Sequence, residues 1–118
     1  MTTPSVSPCR RAGPLLFVSG QLGLGDAGLV PGGVAPETRQ AIHNVAAVLE
    51  GHGATLADVV KSTVFLASMD DWPEMNKAYA ELFGTPAPAR SAVGSGLLLG
   101  ARVEIEVVAY APTTQDAP

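Results

Sequence analysis

"DVVKSTVFLASMDDWPEMNKAYAELFG", residues 58–84, changes its period halfway, and that change decides the fold class. Up to Leu66 the residues alternate. Val60, Ser62, Val64 and Leu66 point one way and Lys61, Thr63 and Phe65 the other, as in a strand. After "SMDDWP" the period lengthens: Met75, Ala78, Tyr79, Leu82 and Phe83 recur at helical spacing and form one apolar stripe. Asp71 is predicted to cap this helix, with Glu74 completing a capping box and Pro73 tolerated in the first turn. Gly84 ends it, and Pro86 and Pro88 prevent its resumption.

The same two periods recur on either side. Upstream, "LLFVSG" is an apolar run closed by Gly20 and is predicted to be a strand, with another before it around Val6–Ala12. From Pro36 to about Glu50 the period is helical: Ile42, Val45 and Leu49 share a face, and Glu37, Arg39 and Gln40 lie off it. Gly51 and Gly53 can stop that helix. Downstream, Arg90–Ser95 reads as a strand. In "RVEIEVVAY", residues 102–110, Val103, Ile105, Val107 and Ala109 alternate with Arg102, Glu104, Glu106 and Val108. The order β, β, α, β, α, β, β predicts an α+β fold, one mixed sheet with both helices on one face. Such a sheet leaves its other face bare, to be solvated or buried against another copy of the chain.

Length and composition set the frame. The 118 residues are expected to form a single domain, 1–118, with residues 1–5 and 112–118 as frayed ends. Hydrophobic residues make up 47% and charged ones only 15%. Two explanations fit: a surface partly covered by a partner subunit, or simply an Ala-, Val- and Leu-rich composition. Net charge is −4, and the seven basic residues are scattered. That gives no basic stripe for nucleic acid. Arg10-Arg11 reads as a solvated strand end. Cys9 is the single cysteine, so no intrachain disulfide is possible, and it is expected to be an inert, half-buried thiol. "MTTPSVSP" has neither the basic nor the apolar region of a signal peptide, and no apolar run approaches a membrane span. A cytoplasmic protein is the expectation.

Several motifs lead nowhere. "GLGDAG", Gly23–Gly28, matches G-x-G-x-x-G after a strand, but a dinucleotide site needs a helix to begin there. The sequence continues "LVPGGVAP", which reads as a turn-rich loop. His43 and His52 have no Cys, His or carboxylate at ligand spacing, so no metal site is expected. Ser19 by itself is a strand terminus whose hydroxyl can bond the backbone. Arg90 and Glu104 carry more. Arg90 stands in "PAPARSAV" among small side chains that can neither pair with it nor cover it, and Glu104 is on the strand that follows. The pair reads either as a cross-strand surface ion pair or as a carboxylate clamp beside a carboxylate that handles water.

"SPCRRAGPLLFVSGQLGL", "TRQAIHNVAAVLEGHGATLADVVKSTVFLASMDDWPEMNKAYAELFG", "PARSAV" and "VEIEVVAYAP" together resemble the RidA family (reactive intermediate or imine deaminase A), also labelled YjgF and endoribonuclease L-PSP. The resemblance runs over roughly residues 6 to 111. It implies a chorismate-mutase-like α+β fold and a homotrimer whose sheets line a central barrel, with three clefts between subunits. It also implies hydrolysis of reactive 2-imino and enamino acids to 2-oxo acids and ammonia, with no metal or cofactor. By that resemblance Arg90 of "PARS" binds the substrate carboxylate, and Glu104, the first glutamate of "VEIE", is associated with the attacking water. Ser19, Asn76 and Ala92 fall on positions lining the family's cleft. The residue types suit the chemistry. A planar fork holds a carboxylate in two parallel charge-assisted bonds, each worth about 1.5–3 kcal/mol net. Holding the carboxylate orients the adjacent imine carbon, so that catalysis is mostly positioning.

The chain departs from the family pattern at the cleft. Val6 stands where a tyrosine is usual, Ala92 where many members have cysteine, Gly94-Ser95 for Glu-Val, and "LLLG", Leu97–Gly100, for an "LPKG"-like loop. These changes imply a larger, more apolar substrate or a weakened deaminase. Two other functions compete with this one, the second of them on the family label alone. One is a non-catalytic trimer that binds small carboxylates as a sensor, keeping Arg90 but not needing Glu104. The other is a ribonuclease or translation inhibitor, a reading that the acidic charge and the lack of a His pair oppose.

Overall fold

The computed structural model describes residues 5–113, so most of the expected frayed ends lie outside the described residues. Nine elements follow in order: β1 Cys9–Ala12, β2 Leu15–Leu22, β3 Leu24–Gly25, β4 Gly28–Leu29, α1 Val34–Glu50, β5 Val59–Leu66, α2 Trp72–Phe83, β6 Ala89–Gly94 and β7 Val103–Tyr110. β3 and β4 form a small hairpin within the G-x-G-x-x-G match, where no helix begins. The other strands make one sheet in the order β1-β2-β7-β5-β6. Every pairing in it is antiparallel except β5 with β6. A parallel neighbour requires a crossover, and α2 supplies it. The α+β architecture with both helices on one sheet face is as the period changes predict.

β7 takes the central position rather than an edge beside β6. It is the most regular strand: Val103, Ile105, Val107 and Ala109 are all buried under the helices, the last three between β2 and β5 and Val103 beside Leu66 of β5. Leu16 and Val18 of β2 and Ser62, Val64 and Leu66 of β5 complete that face. From above it is covered by Val34, Ala41, Ile42, Val45 and Leu49 of α1 and by Met75, Ala78, Tyr79 and Phe83 of α2. Each large aliphatic side chain buried here contributes about 1.5–3 kcal/mol. The opposite face carries Phe17, Phe65, Val93, Glu104, Glu106 and Tyr110, with Phe17 45%, Val93 42% and Tyr110 52% exposed.

Three local expectations need correcting. Val60 does not share the buried face of β5, because the ladder with β7 slips between Val59 and Lys61 and leaves Val60 48% exposed. Glu37 is not off the packed face of α1. It is buried, and its Oε1 accepts the Arg102 backbone N–H at 2.9 Å, which ties the start of α1 to the entry of β7. The capping box on α2 does not form. A 3₁₀ turn, Met69–Asp71, leads straight into the helix, so Asp71 has helical dihedrals and its side chain cannot fold back. Instead its carboxylate faces Arg102 Nη1 at 3.6 Å, and the Ser68 hydroxyl accepts the Asp70 N–H at 3.2 Å.

α1 begins at Gly33, whose φ of 99° suits glycine, and stops at Gly51. An exposed Arg39–Glu81 pair at 3.3 Å links α1 to α2 and is worth about 0–1 kcal/mol. α2 ends at Gly84, with φ 66°, before the two prolines. No helix among the described residues is long and apolar enough to cross a membrane.

Candidate active site

Arg90 is the second residue of β6, in register with Ser62 of β5. It therefore points to the helix side, at the outer edge of the sheet. Its sequence neighbours leave it bare, but α2 does not. The guanidinium carbon lies 4.6 Å from the centre of the Tyr79 ring and 5.6 Å from that of Trp72. No acidic group pairs with Arg90 among the described residues. Beside it is a cavity of about 300 Å³ lined by Asn76, Tyr79, Ala80, Gly84, Ala87, Pro88 and Arg90. Asn76 lines this cavity beside Arg90, one helical turn before Tyr79. The cavity's remaining walls are largely apolar.

Tyr79 is fixed from below. Its hydroxyl bonds Ser62 Oγ at 2.5 Å, both groups being buried, and its ring rests 4.5 Å from Phe83. Burial pushes the Tyr79 phenol above its usual range, while the Ser62 bond and the Arg90 charge oppose that rise. The phenol is therefore neutral at physiological pH.

Glu104 belongs to a different place. It is on β7 opposite Leu22, on the sheet face away from the helices. A cavity of about 610 Å³ joins it to Val6, Ser7, Pro8, Ser19, Gly20, Gln21 and Val48. The β2–β7 ladder slips between Val18 and Gln21, which brings Gly20 against the Glu104 side chain. A β-carbon on Gly20 would be 2.7 Å from Glu104 Oε2 and 3.0 Å from its Cγ, so only glycine leaves the carboxylate its place. Ser19 lines this cavity. It also does what a strand-end serine does: its hydroxyl donates to Ser7 O at 2.6 Å and its N–H to Pro8 O at 2.9 Å.

The expected residues therefore fall into two groups, Arg90 with Asn76 and Glu104 with Ser19. The cross-strand Arg90–Glu104 pair does not exist. β6 pairs with β5, and β7 lies on the far side of β5. Through the shared register, Arg90 and Glu104 are two strands and three residues apart, about 14 Å between Cα atoms, with side chains on opposite faces. Ala92 is on the helix face of β6 but lines neither cavity. Of the departures from the family pattern, Val6 lines the Glu104 cavity. Gly94 approaches Met69 instead, and the Leu98–Gly100 turn is outside both cavities, with Leu98 79% and Leu99 72% exposed. Among the described residues no three His, Cys, Asp or Glu side chains gather as metal ligands. His43 and His52 are exposed, and Cys9 is half-buried with its thiol pushed upward by burial against the pull of Arg11.

Sequence reasoning passed over Trp72, Tyr79, Ser62 and Gly20 as site residues. Two of them left a signal: a serine on the core face of β5, and a glycine inside a strand.

A family model described as endoribonuclease L-PSP matches residues 3–111. The chain belongs to the endoribonuclease L-PSP family. It is 43% identical over 103 residues to a RutC family protein of Pyrococcus horikoshii, covering 85% of this chain and 82% of that one. It is 43% identical over 97 residues to the 2-iminobutanoate/2-iminopropanoate deaminase of Bos taurus, covering 80% and 71%. The solved RidA of the Antarctic bacterium Psychrobacter matches with a TM-score of 0.86 at 31% identity, over 93% of this chain and 91% of that one. RidA and endoribonuclease L-PSP are thus labels within one family, and the resemblance read from "PARSAV" and "VEIEVVAYAP" holds across the chain.

Proposed function

We propose that this endoribonuclease L-PSP family member is a cytoplasmic enamine and imine deaminase. It would hydrolyse 2-imino and 2-enamino acids to 2-oxo acids and ammonia. The observation that carries the proposal is Arg90, a half-buried guanidinium held against two aromatic rings with no acidic partner among the described residues. A cation left unpaired beside a cavity is a ready receptor for a carboxylate, which its planar fork can bind through two bonds.

Glu104 supplies the second half. In the proposed reaction a water oxygen attacks the imine carbon while its proton passes to the Glu104 carboxylate. Glu104 returns that proton to nitrogen, giving a carbinolamine; it then takes the carbinolamine hydroxyl proton and passes it to nitrogen as the C–N bond breaks, so that ammonia leaves and the C=O bond forms. The chemistry is redox-neutral. One chain cannot bring Arg90 and Glu104 to the same small substrate, because they are on opposite sheet faces. A homotrimer would bring Arg90 and Asn76 of one copy to Glu104 and Ser19 of the next. The exposed Phe17, Val93 and Tyr110 on the uncovered sheet face support such packing. Val6, Pro8 and Val48 around Glu104 support a substrate with a bulkier apolar side chain than the smallest imino acids.

The test is a panel of imines generated in situ by an amino-acid oxidase, bulky apolar ones included. Faster release of 2-oxo acid and ammonia is expected, and Arg90→Ala should abolish the gain. No acceleration anywhere in the panel would end the proposal. A second reading, a carboxylate-binding trimer without turnover, is favoured by the Arg90 cavity being formed without Glu104. Its mark would be carboxylate-dependent thermal stabilisation that survives Glu104→Gln in a protein that hydrolyses none of the imines. The ribonuclease label has little in the charge to support it, with seven basic residues against eleven acidic ones.

A further inference from the structure

Trp72 and Tyr79 have no part in the hydrolysis itself, yet they are the only groups among the described residues that engage the Arg90 guanidinium. Aromatic faces attract a cation without accepting its N–H groups as a carboxylate would. An acidic partner would have fixed Arg90 by consuming the donors a substrate needs. Two rings fix it and leave the donors free. The rings differ in how they are held. Tyr79 is anchored from within by Ser62 and Phe83, whereas Trp72, at the first residue of α2, is 36% exposed and closes Arg90 from outside.

We infer that Trp72 and Tyr79 are positioning residues, an aromatic clamp that preorganises the Arg90 fork for a substrate carboxylate. The inference rests on the carboxylate-binding reading of Arg90. Holding a long side chain in its bound arrangement removes an ordering cost from ligand binding. Removing the clamp should therefore weaken carboxylate affinity and raise KM, with kcat nearly unchanged, because the carboxylate contact is the same in ground and transition states.

Sodium butanoate, which does not absorb in the aromatic region, is the probe, titrated by calorimetry and by the emission of Trp72, the single tryptophan. Wild type should bind it with a change in emission. Trp72→Leu should raise Kd about threefold to tenfold, and Trp72→Phe, which keeps a ring, should restore affinity to within about twofold. In an Arg90→Ala background, Trp72→Leu should have no further effect, since the clamp acts only through Arg90. Thermal unfolding confirms the folded state of each variant; Trp72 is exposed enough for substitution, while the buried Tyr79 is left intact. Unchanged butanoate affinity in Trp72→Leu overturns the inference, as does an equal loss with Arg90 already removed. Wild type failing to bind butanoate, or Arg90→Ala binding it equally well, overturns the carboxylate-binding reading itself, and the clamp with it.

Discussion

The two halves of the proposed site are built by opposite means. Arg90 is held by what surrounds it: two aromatic rings, one of them anchored by a buried hydrogen bond. Glu104 is placed by what is missing, the side chain of Gly20 at a slip in the β2–β7 ladder. The first arrangement restrains a long, flexible cation and costs buried polar groups that must be paired. The second gives a shorter side chain open space against backbone and needs only that the space stay empty. A binding group gains from restraint before ligand arrives, and a group that must take up and return a proton gains from room beside it.

The division of labour can be broken most severely at the charges. Arg90→Ala should lower kcat/KM on the best imine by on the order of 10²–10⁴-fold, the worth of two charge-assisted bonds. Glu104→Gln should lower kcat by a similar order while butanoate still binds. If both variants lose binding and turnover in the same proportion, the halves are not separate. Mixing is sharper still. Subunits of Arg90→Ala and Glu104→Gln, denatured and refolded together, should recover about a quarter of wild-type activity if each cleft draws one half from each of two copies. No recovery would mean that both groups serve one chain's site, contrary to their opposite faces. Next comes the empty space. Gly20→Ala puts a β-carbon 2.7 Å from Glu104 Oε2. The carboxylate should be displaced, with kcat falling about tenfold, butanoate affinity retained and the thermal midpoint lowered by only a few degrees.

These contrasts mark how far the sequence can be read. Alternation in β5 and β7 and the apolar stripe of α2 are dictated by burial on one face, so they were legible as element type and facing. Strand order was not. Consecutive strands pair more often than not, and β6 was therefore expected beside β7. Here β7 carries the most regular buried face and inserts between β2 and β5, leaving β6 at the edge. That single displacement dissolves the Arg90–Glu104 ion pair, and the register with β5, Arg90 level with Ser62 and Glu104 with Phe65, puts the two residues on opposite faces. Glu37 misled for another reason: period alone calls a glutamate solvent-facing, and its burial depends on a backbone N–H arriving from Arg102, far away in sequence. Arg90 and Glu104 stand out by residue type and placement, and Asn76 and Ser19 only through motif resemblance. Their supports do not, because Tyr79 looks like an ordinary member of an apolar helix face and Trp72 like an exposed residue at a helix start until β6 is laid beside them.

The mildest test bears on Tyr79. Tyr79→Phe keeps the ring under Arg90 but strands the Ser62 hydroxyl, which is 0% exposed, without its partner. Stability should fall by about 1–3 kcal/mol near neutral pH, while turnover changes little. The pH dependence identifies the cause. Folding raises the Tyr79 pKa above its ordinary value of 10.0, chiefly by burial. Below about pH 10 both folded and unfolded chains keep the proton, and the contribution is fully present. Above it the unfolded chain loses the proton first, so stability declines as pH rises through the folded-state pKa. The Cys9 thiol, also raised by burial from 9.0, adds a decline that begins lower. Compared in a Cys9→Ala background, denaturant unfolding between pH 8 and about pH 11 should show a shallower alkaline loss for Tyr79→Phe than for Tyr79. Equal slopes would show that the phenol is not held in a desolvated site. The floor of the aromatic clamp would then be looser than its hydrogen bond to Ser62 implies.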